Sequence, residues 1–204
     1  MYKSNILFKT FYPNFIWKIP TQKPIIYLTF DDGPTPEVTN FVLNTLAEYN
    51  AKATFFCIGD NIIENPDIYS EILSNGHSIG NHTMSHPNGW NTDNETYIDN
   101  FNQCKSVIGK VNLFRPPYGK IKKSQAKTIL NTHKIIMWDV ISYDFSPKMN
   151  PQKCLSVCLK YTQPGSIVVF HDSRKAFKNM AYTLPRFLAY FHEKGYSFEP
   201  IILN

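Results

Sequence analysis

Short apolar runs alternate with segments of helical periodicity along the chain. Strands are predicted where apolar or β-branched residues run together between turn residues, at residues 25–30, 53–58, 77–80, 113–114, 134–138, 166–170 and 196–198. Helices are predicted between most of them, over residues 36–49, 65–75, 94–109, 122–131, 151–161 and 177–194. Thr35 and Asn150 each precede a proline and are the expected N-caps of the helices that begin there.

This alternation predicts an α/β fold in which crossover helices join parallel strands. About seven such units in roughly 180 residues fit a single-domain, distorted or incomplete (β/α) barrel better than two domains. We expect residues 21–204 to form this barrel and residues 1–20 to pack on it as an N-terminal extension. The extension combines three lysines with six aromatic residues, so a membrane interface is the alternative environment for it.

Composition excludes several classes of protein. The chain has 204 residues, of which 43% are hydrophobic and 18% charged, so it is neither disordered nor a disulfide-stapled miniprotein. Its net charge is +5, but four lysines precede the first acidic residue, Asp31, and the remainder is nearly neutral. A nucleic-acid partner is not expected, because binding a phosphate backbone needs a basic stripe. The densest lysine cluster, at residues 120–127, is interpreted as a solvated helix face.

No segment is long and apolar enough to predict a transmembrane helix, since the longest unbroken apolar run covers only residues 187–191. No secretory signal is visible, and the four cysteines form no C-x-x-C pair, which predicts free thiols. Both observations favour the cytoplasm, while a location in the cell envelope stays open. The sequence does not predict the oligomeric state.

In a (β/α) barrel the side chains that carry chemistry lie at the carboxyl ends of the strands. Polar residues follow five of the predicted strands, namely Asp31 and Asp32, His82 and His86, Arg115, Asp139 and Asp144, and His171 and Asp172. Acids, imidazoles and a guanidinium therefore converge on one rim of the predicted barrel.

The adjacent carboxylates of Asp31 and Asp32 can point in different directions, so that one binds a metal and the other acts on water. The alternative is that the Asp-Gly-Pro sequence from residue 32 only ends the strand in a turn. His82 and His86 are four residues apart, so one helical turn would present both imidazoles to a zinc ion, with a carboxylate completing the set. Taken alone, such a pair also fits packing or surface positions.

Arg115 opens the sequence Arg-Pro-Pro-Tyr-Gly, in which two prolines make the loop rigid and hold the arginine in place. In isolation, a stiff turn explains this loop equally well. His171 follows a strand that reads as buried on both faces, which favours a proton donor at the rim over a core residue. We leave three other histidines out of the candidate site. His77 is interpreted as a buried strand residue, and His133 and His192 as helix-end cations.

Taken together, these segments resemble the motifs of one family in the same order. They are residues 29–34, residues 82–86, residues 115–119, the stretch that ends at residues 144–145, and residues 169–171. The chain is similar to the polysaccharide deacetylases of the NodB type, carbohydrate esterase family 4. The resemblance covers roughly residues 25–172 and implies a NodB-type barrel. It also implies a metal-dependent hydrolase that removes acetyl groups from a carbohydrate containing N-acetylglucosamine.

The resemblance also implies roles for the acid–base residues. Asp31 is the expected catalytic base, and Arg115 is expected to orient and tune it. His171 is the expected general acid, tuned by Asp144. Amide hydrolysis needs an activated water, a stabilised oxyanion and a proton for the leaving amine, and these residues with a metal can supply all three.

The remaining roles concern the metal and the substrate. The resemblance implies one divalent ion, with zinc as the first expectation and cobalt or nickel as substitutes, bound by Asp32, His82 and His86. The expected substrate contacts are Pro34, Tyr118, Phe145 and Val169. Tyr118 would help to bind the oxyanion through its backbone N–H.

The chain departs from the family pattern at Phe145, where tryptophan is usual, and at Val169, where leucine is common. Both would wall the pocket for the acetyl methyl group, so we expect a changed acyl or substrate preference rather than lost activity. Two other functions stay open. One is hydrolysis of a small amide or cyclic ureide on the same fold, and the other is glycan binding by a degenerate site. The filled catalytic positions count against the second.

Overall fold

Strands and helices alternate along the chain, as the sequence predicts. The computed structural model describes residues 2–3 and 10–203. In this part of the chain the strands are β1 (Ile25–Asp31), β2 (Ala53–Cys57), β3 (Ser78–Asn81), β4 (Leu113–Phe114), β5 (Lys134–Ile135), β6 (Val140–Ile141), β7 (Ile167–His171) and β8 (Ser197–Phe198). The helices are α1 (Val38–Glu48), α2 (Gly59–Glu64), α3 (Pro66–Ser74), α4 (Asn94–Ile108), α5 (Lys123–Ile129), α6 (Pro151–Tyr161) and α7 (Phe177–Glu193).

The strands form one curled sheet in which neighbours run parallel. Their order is β5–β4–β3–β2–β1–β7–β6, and β8 pairs with the start of β1. In the part of the chain that the structure describes, β5 and β6 do not pair with each other, so the barrel is incomplete. The predicted fold class, a parallel and incomplete (β/α) barrel, is confirmed.

Burial on both faces explains why the central strands are apolar runs rather than alternating patterns. Every residue of β2 is buried, and in β7 only His171 is partly exposed. The Phe30 ring stacks on the rings of Phe55 and Phe170 from the two neighbouring strands, at centroid distances of 5.1 and 6.1 Å. This packing supports the register in which Asp31 lies beside His171, at the carboxyl ends of β1 and β7.

Residues 16–19 link two parts of the open sheet, and we call them the seam segment. Ile16 exchanges backbone hydrogen bonds with the chain at the end of β5, at 2.9 and 2.8 Å. The Ile19 N–H donates to the carbonyl of Gly165, just before β7, at 3.0 Å. Gly165 has a φ of +80°, and a Cβ atom at this position would overlap the Ile19 carbonyl oxygen. Glycine therefore allows this close approach.

Two helix starts test the predicted caps. Helix α1 begins at Val38 rather than at residue 36, so Thr35 is not its N-cap. The Thr35 N–H instead donates to Thr39 Oγ1 at 2.8 Å. The cap at Asn150 is confirmed, because its side chain accepts from the Lys153 N–H at 2.8 Å. Helix α2 is not predicted, since a segment of six residues is too short to show a helical period.

The strand predicted at residues 134–138 ends early, at Ile135. The carbonyl oxygens of Ile136 and Met137 accept from the Arg115 guanidinium, at 3.1 and 2.8 Å. They stabilise this buried positive charge instead of pairing with a neighbouring strand. The short strand β6 follows after this interruption and is not predicted.

The excluded histidines lie outside the candidate site, and one of them differs from its prediction. His77 is buried just before β3 and accepts from the Ala53 N–H at 3.2 Å, and His192 lies in the last turn of α7. His133 is not a helix-end cation. Burial lowers the pKa of its imidazole to about 4, so it is neutral at pH 7.

All four cysteines are buried free thiols, as predicted. Among the described helices, none combines the length and the apolar character that crossing a bilayer requires.

Candidate active site

The two adjacent carboxylates at the end of β1 lie in different surroundings. Asp31 is only 4% exposed, and Arg115 Nη1 donates to its Oδ1 at 2.7 Å. Asp32 leaves the strand with a φ of 83°, and its side chain is 25% exposed. Its carboxylate faces two histidines instead of the arginine. One carboxylate is therefore held by a cation, while the other is available to a ligand.

Asp32, His82 and His86 form a group of possible metal ligands. Asp32 Oδ1 lies 3.7 Å from His82 Nε2 and 3.3 Å from His86 Nε2, and one ligand atom from each residue lies within 4.8 Å of the others. His82 Nδ1 lies 2.7 Å from the Arg115 carbonyl oxygen. A proton on Nδ1 makes this hydrogen bond and leaves Nε2 free to bind. Two nitrogens and one carboxylate oxygen suit zinc and similar divalent ions, so the residues present fit a metal.

The charge states in this group also suit a cation. Burial lowers the pKa of His82 to about 4, against the opposing effect of the Asp31 charge. Burial would raise the pKa of Asp32, but the nearby histidines, His86 first, bring it below its usual range. A neutral imidazole and an ionised carboxylate are the forms that bind metals.

The loop that carries both histidines is not helical, so the predicted helical turn is wrong. Thr83 and His86 have φ values of 68° and 60°, in the left-handed region. Asn100 of α4 holds this loop, because its Oδ1 accepts from the N–H groups of Met84 and Ser85 at 2.9 and 3.1 Å. The imidazoles therefore meet through a tethered loop rather than along a helix face.

Arg115 is fully buried and joins the two halves of the site. Its guanidinium donates to Asp31 Oδ1 at 2.7 Å and to Thr29 Oγ1 at 2.8 Å, and its carbon lies 4.1 Å from the centre of the Phe56 ring. The carbonyl oxygen of the same residue lies in hydrogen-bond contact with His82. A single residue thus fixes both a carboxylate and a possible metal ligand.

His171 and Asp144 form the second buried pair. His171 Nδ1 lies 2.7 Å from Asp144 Oδ1, and the His171 N–H donates to Asp144 Oδ2 at 2.9 Å. Burial alone would lower the pKa of His171, but the adjacent carboxylate outweighs it and raises the pKa to about 9. The imidazole is therefore protonated at neutral pH, and the proton on Nε2 is the one left to donate.

Three of the predicted substrate contacts lie near these groups. The rings of Phe145 and His171 have their centroids 4.7 Å apart. Val169 is buried two residues before His171 and shares its face of the sheet. Pro34 is buried in the turn that follows Asp32. Phe145 is the only one of these three that is partly exposed.

Tyr118 lies in the 3-10 turn Pro117–Gly119 with a φ of 59°. Its side chain is 60% exposed, and its ring lies 4.5 Å from the His86 ring. The next two amides donate within the turn, to the carbonyls of Pro116 and Pro117, at 2.9 and 3.0 Å. No acceptor in the described part of the chain takes the Tyr118 N–H, so this donor is available to a ligand.

Asp172 supports the site, although no role is predicted for it from the sequence. Its Oδ1 accepts from the Gly33 N–H at 3.0 Å, and its Oδ2 accepts from Thr39 Oγ1 at 2.6 Å. Its own N–H donates to the Asp31 carbonyl at 3.1 Å. Burial raises the pKa of this carboxyl group to about 7. The only signal in the sequence is an acid directly after β7, a strand whose first four residues are apolar and whose last is His171.

Known proteins resemble this chain in sequence and in fold. Residues 18–135 match the family model described as polysaccharide deacetylase. A peptidoglycan-N-acetylglucosamine deacetylase of Bacillus cereus is 34% identical over 191 residues, which cover 89% of this chain and 88% of that protein. This chain belongs to the polysaccharide deacetylase family.

Other polysaccharide deacetylases resemble the chain in sequence and in shape. A chitooligosaccharide deacetylase of Azorhizobium caulinodans is 36% identical over 164 residues, which cover 76% of this chain and 77% of that protein. The crystal structure of the Bc1960 peptidoglycan N-acetylglucosamine deacetylase superposes with a TM-score of 0.88 at 28% identity, covering 97% of this chain and 95% of that one. The predicted family, and with it the class of carbohydrate deacetylases, is confirmed.

Proposed function

We propose that this chain is a metal-dependent hydrolase that removes N-acetyl groups from glycans containing N-acetylglucosamine and releases acetate. One observation carries the proposal. The Arg115-bound carboxylate of Asp31 and the protonated imidazole of His171 end two paired strands, and the possible metal ligands adjoin them. A base, an acid and a metal-binding group at one rim are what amide hydrolysis requires.

Asp32, His82 and His86 would hold the metal, with zinc as the first candidate and cobalt or nickel as substitutes. A divalent ion in such a site acts as a Lewis acid and makes water more acidic. The hydrogen bond between His82 Nδ1 and the Arg115 carbonyl would orient this imidazole with Nε2 toward the metal.

The remaining residues would move protons and orient the amide. Asp31 takes a proton from the attacking water, and Arg115 keeps its carboxylate oriented. The water oxygen forms a bond to the acetyl carbon, and the Tyr118 N–H stabilises the negative charge that develops on the carbonyl oxygen. His171 gives its Nε2 proton to the amine as the carbon–nitrogen bond breaks, which leaves acetate and a free amino sugar. Asp144 keeps His171 protonated until then.

The relatives suggest the substrates to test. Two that resemble the chain are named for peptidoglycan and one for chitooligosaccharides, and N-acetylglucosamine occurs in both polymers. If peptidoglycan is the substrate, the site of action is the cell envelope, the alternative that the sequence leaves open. We propose residues 21–204 as the catalytic barrel and residues 1–20 as its N-terminal extension, although residues 1 and 4–9 of this extension lie outside the part of the chain that the structure describes.

Acetate release from chitooligosaccharides, peptidoglycan fragments and acetylated xylan tests the proposal. We expect release from the first two substrates, loss of activity with a chelator, and recovery with zinc. The His82→Ala, His86→Ala double variant should contain no stoichiometric metal and show no turnover. Release of amine only from small amides or ureides would contradict the proposed substrate class, and full activity of the double variant would contradict the metal site.

A further inference from the structure

Two large aromatic side chains are exposed on neighbouring loops at the rim that carries the candidate site. Trp90 lies in the loop after β3, between His86 and the start of α4, and is 52% exposed. Tyr118, in the loop after β4, is also exposed and contacts the His86 ring. Because β3 and β4 are paired and parallel, both loops leave the same edge of the sheet. Exposed aromatic surface therefore adjoins a proposed metal ligand, which distinguishes it from apolar side chains scattered singly over a surface.

The turn that carries Trp90 is packed against the segment that leads from β4 into α5. Gln125 is fully buried, and its Nε2 donates to the carbonyls of Gly89 and Thr92, at 3.0 and 3.2 Å. Gly89 lies so close to this segment that a Cβ atom at its position would overlap the Lys120 carbonyl oxygen. The backbone on both sides of Trp90 is therefore held in place by contacts within the protein.

The indole ring of Trp90 is itself held by the protein. Its Nε1 donates to the Ile121 carbonyl at 3.3 Å, and the Lys120 ammonium lies 5.2 Å from the centre of the ring. The Trp90 backbone N–H donates to Asn88 Oδ1 at 3.1 Å. The polar edge of the indole thus has a partner, while about half of the residue stays exposed. A ring that is already ordered loses little conformational entropy when a ligand packs on it.

A sugar ring is the ligand that this surface suits. The faces of a pyranose with equatorial hydroxyl groups present C–H groups, which pack on the electron-rich face of an indole while the hydroxyl groups stay in water. The Lys120 ammonium beside the ring offers hydrogen-bond donors to those hydroxyl groups. A protein or lipid partner would need a larger continuous apolar surface, whereas one indole matches one sugar ring in size.

We propose that Trp90 binds a sugar of the substrate glycan beyond the one that is deacetylated. The inference rests on the proposed function, because the reacting sugar then lies at the proposed metal ligands. In the order of the sheet, β3 and β4 lie on the side of β1 that is opposite to β7. The glycan would therefore extend from the reacting sugar past His86 and over the loops after β3 and β4. Trp90 would favour oligomers over a single sugar without touching the reacting amide.

The dependence of the rate on chain length tests this role. Acetate release is measured on the N-acetylglucosamine pentamer and on the methyl glycoside of the monomer, which has no second sugar. In Trp90→Ala we expect the ratio of kcat/KM on the pentamer to that on the monomer to fall roughly tenfold, through a higher KM for the pentamer. Trp90→Phe keeps an aromatic face and should retain most of the wild-type ratio. Tyr190→Ala, which removes an exposed ring near the end of α7, is the matched control and should keep the ratio.

Binding measurements separate this inference from the proposed function. The pentamer is added to metal-loaded Asp31→Asn, in which turnover should be slow, and tryptophan fluorescence is recorded. Packing of a sugar on Trp90 should shift the emission to shorter wavelength, and adding Trp90→Phe should abolish this shift. Trp17 and Trp138 remain in that variant and give the background signal. Such a shift would support the inference even if the wild type released no acetate.

Two results would overturn the inference while leaving the deacetylase function intact. One is a wild-type ratio of kcat/KM in Trp90→Ala, because the glycan would then not depend on this ring. The other is an equal loss of kcat/KM on the pentamer and the monomer, because Trp90 would then act on the reacting sugar or on the fold.

Discussion

The neighbouring carboxylates of Asp31 and Asp32 differ in what their oxygens face. Asp31 faces a buried guanidinium, which fixes its orientation, and Asp32 is partly exposed and faces two imidazole nitrogens. A single peptide unit therefore separates a proposed base from a proposed ligand. The left-handed backbone at Asp32 turns the second side chain away from the first.

Replacing each carboxylate by an amide separates these roles. Asp31→Asn should lower kcat by roughly 10²–10⁴-fold with the metal retained, because an amide of the same size cannot accept a proton from water. Asp32→Asn should lose the metal on gel filtration, because a neutral ligand replaces a charged one. Turnover of a chitooligosaccharide and elemental analysis measure the two effects. Near-normal activity of Asp31→Asn together with a metal-loaded Asp32→Asn would reverse the assignment.

The pKa of His171 predicts a pH profile. The Asp144 carboxylate raises this pKa to about 9, so the protonated acid persists below that pH and the rate should fall above it. In Asp144→Asn the stabilising charge is gone, so the alkaline limb of kcat should move to lower pH. An alkaline limb that stays in place, or that survives in His171→Ala, would remove His171 from the acid role.

At the scale of elements, helix α4 and the histidine loop form one unit. Asn100 binds two backbone amides of the loop through Oδ1, and its Nδ2 donates to Ser85 Oγ at 2.9 Å. The Asn100 carbonyl also accepts from the Met84 N–H at 3.1 Å, and the His86 N–H donates to Thr83 Oγ1 at 3.1 Å. The position of the proposed metal ligands therefore depends on a helix that contributes none of them.

Removing this tether should weaken metal binding. We expect Asn100→Ala to reduce metal affinity by roughly tenfold with the fold retained, as the loss of outer contacts does at other metal sites. Asn102→Ala, on an exposed position of the same helix, is the matched control and should leave affinity unchanged. Competition with a chromophoric chelator measures both variants. Equal affinities would mean that the loop keeps its shape without Asn100.

The elements themselves are predictable from the sequence where local signals decide them. β1, β2 and β7 are buried on both faces and appear as apolar runs, and Asn150 caps its helix as expected. Two of the errors occur where a distant residue decides. Arg115 ends the strand after Ile135, and Asn100 shapes a loop that the histidine spacing alone suggests is helical. Neither partner lies near its target in the sequence.

At the scale of the whole molecule, contacts between residues that are distant in the sequence also limit how much of the candidate site can be predicted. The motifs identify the residues at the strand ends, and the parallel sheet brings them to one rim. The sequence does not predict the supporting role of Asp172, because its partners, Gly33 and Thr39, are more than 130 residues away in the chain. Contacts over such separations exist only once the barrel has formed.

The seam segment allows a test of how much its contacts across the open side of the barrel contribute to the stability of the protein. Gly165 and Gly195 both have positive φ, of +80° and +76°, but only Gly165 has a backbone atom within reach of an added Cβ. Gly195→Ala should therefore lower the free energy of unfolding only by the cost of placing alanine at a positive φ, about 1 kcal/mol. Gly165→Ala should cost about 1–3 kcal/mol more, because the seam segment must move. Urea unfolding measures both, and equal losses would mean that the seam contributes little to stability.

Strand β1 pairs on one side with β2, which follows soon after it, and on the other side with β7, whose Val168 lies 139 residues beyond Thr29. During synthesis on the ribosome, the first strands can assemble while one edge of β1 waits for the end of the chain. An unpaired apolar edge is where nascent chains add to one another, so a chaperone or fast elongation would protect this stage. The edge of β1 stays unpaired until β7 is in place, and β7 also carries His171. A nascent chain that can aggregate through this edge therefore lacks a complete active site.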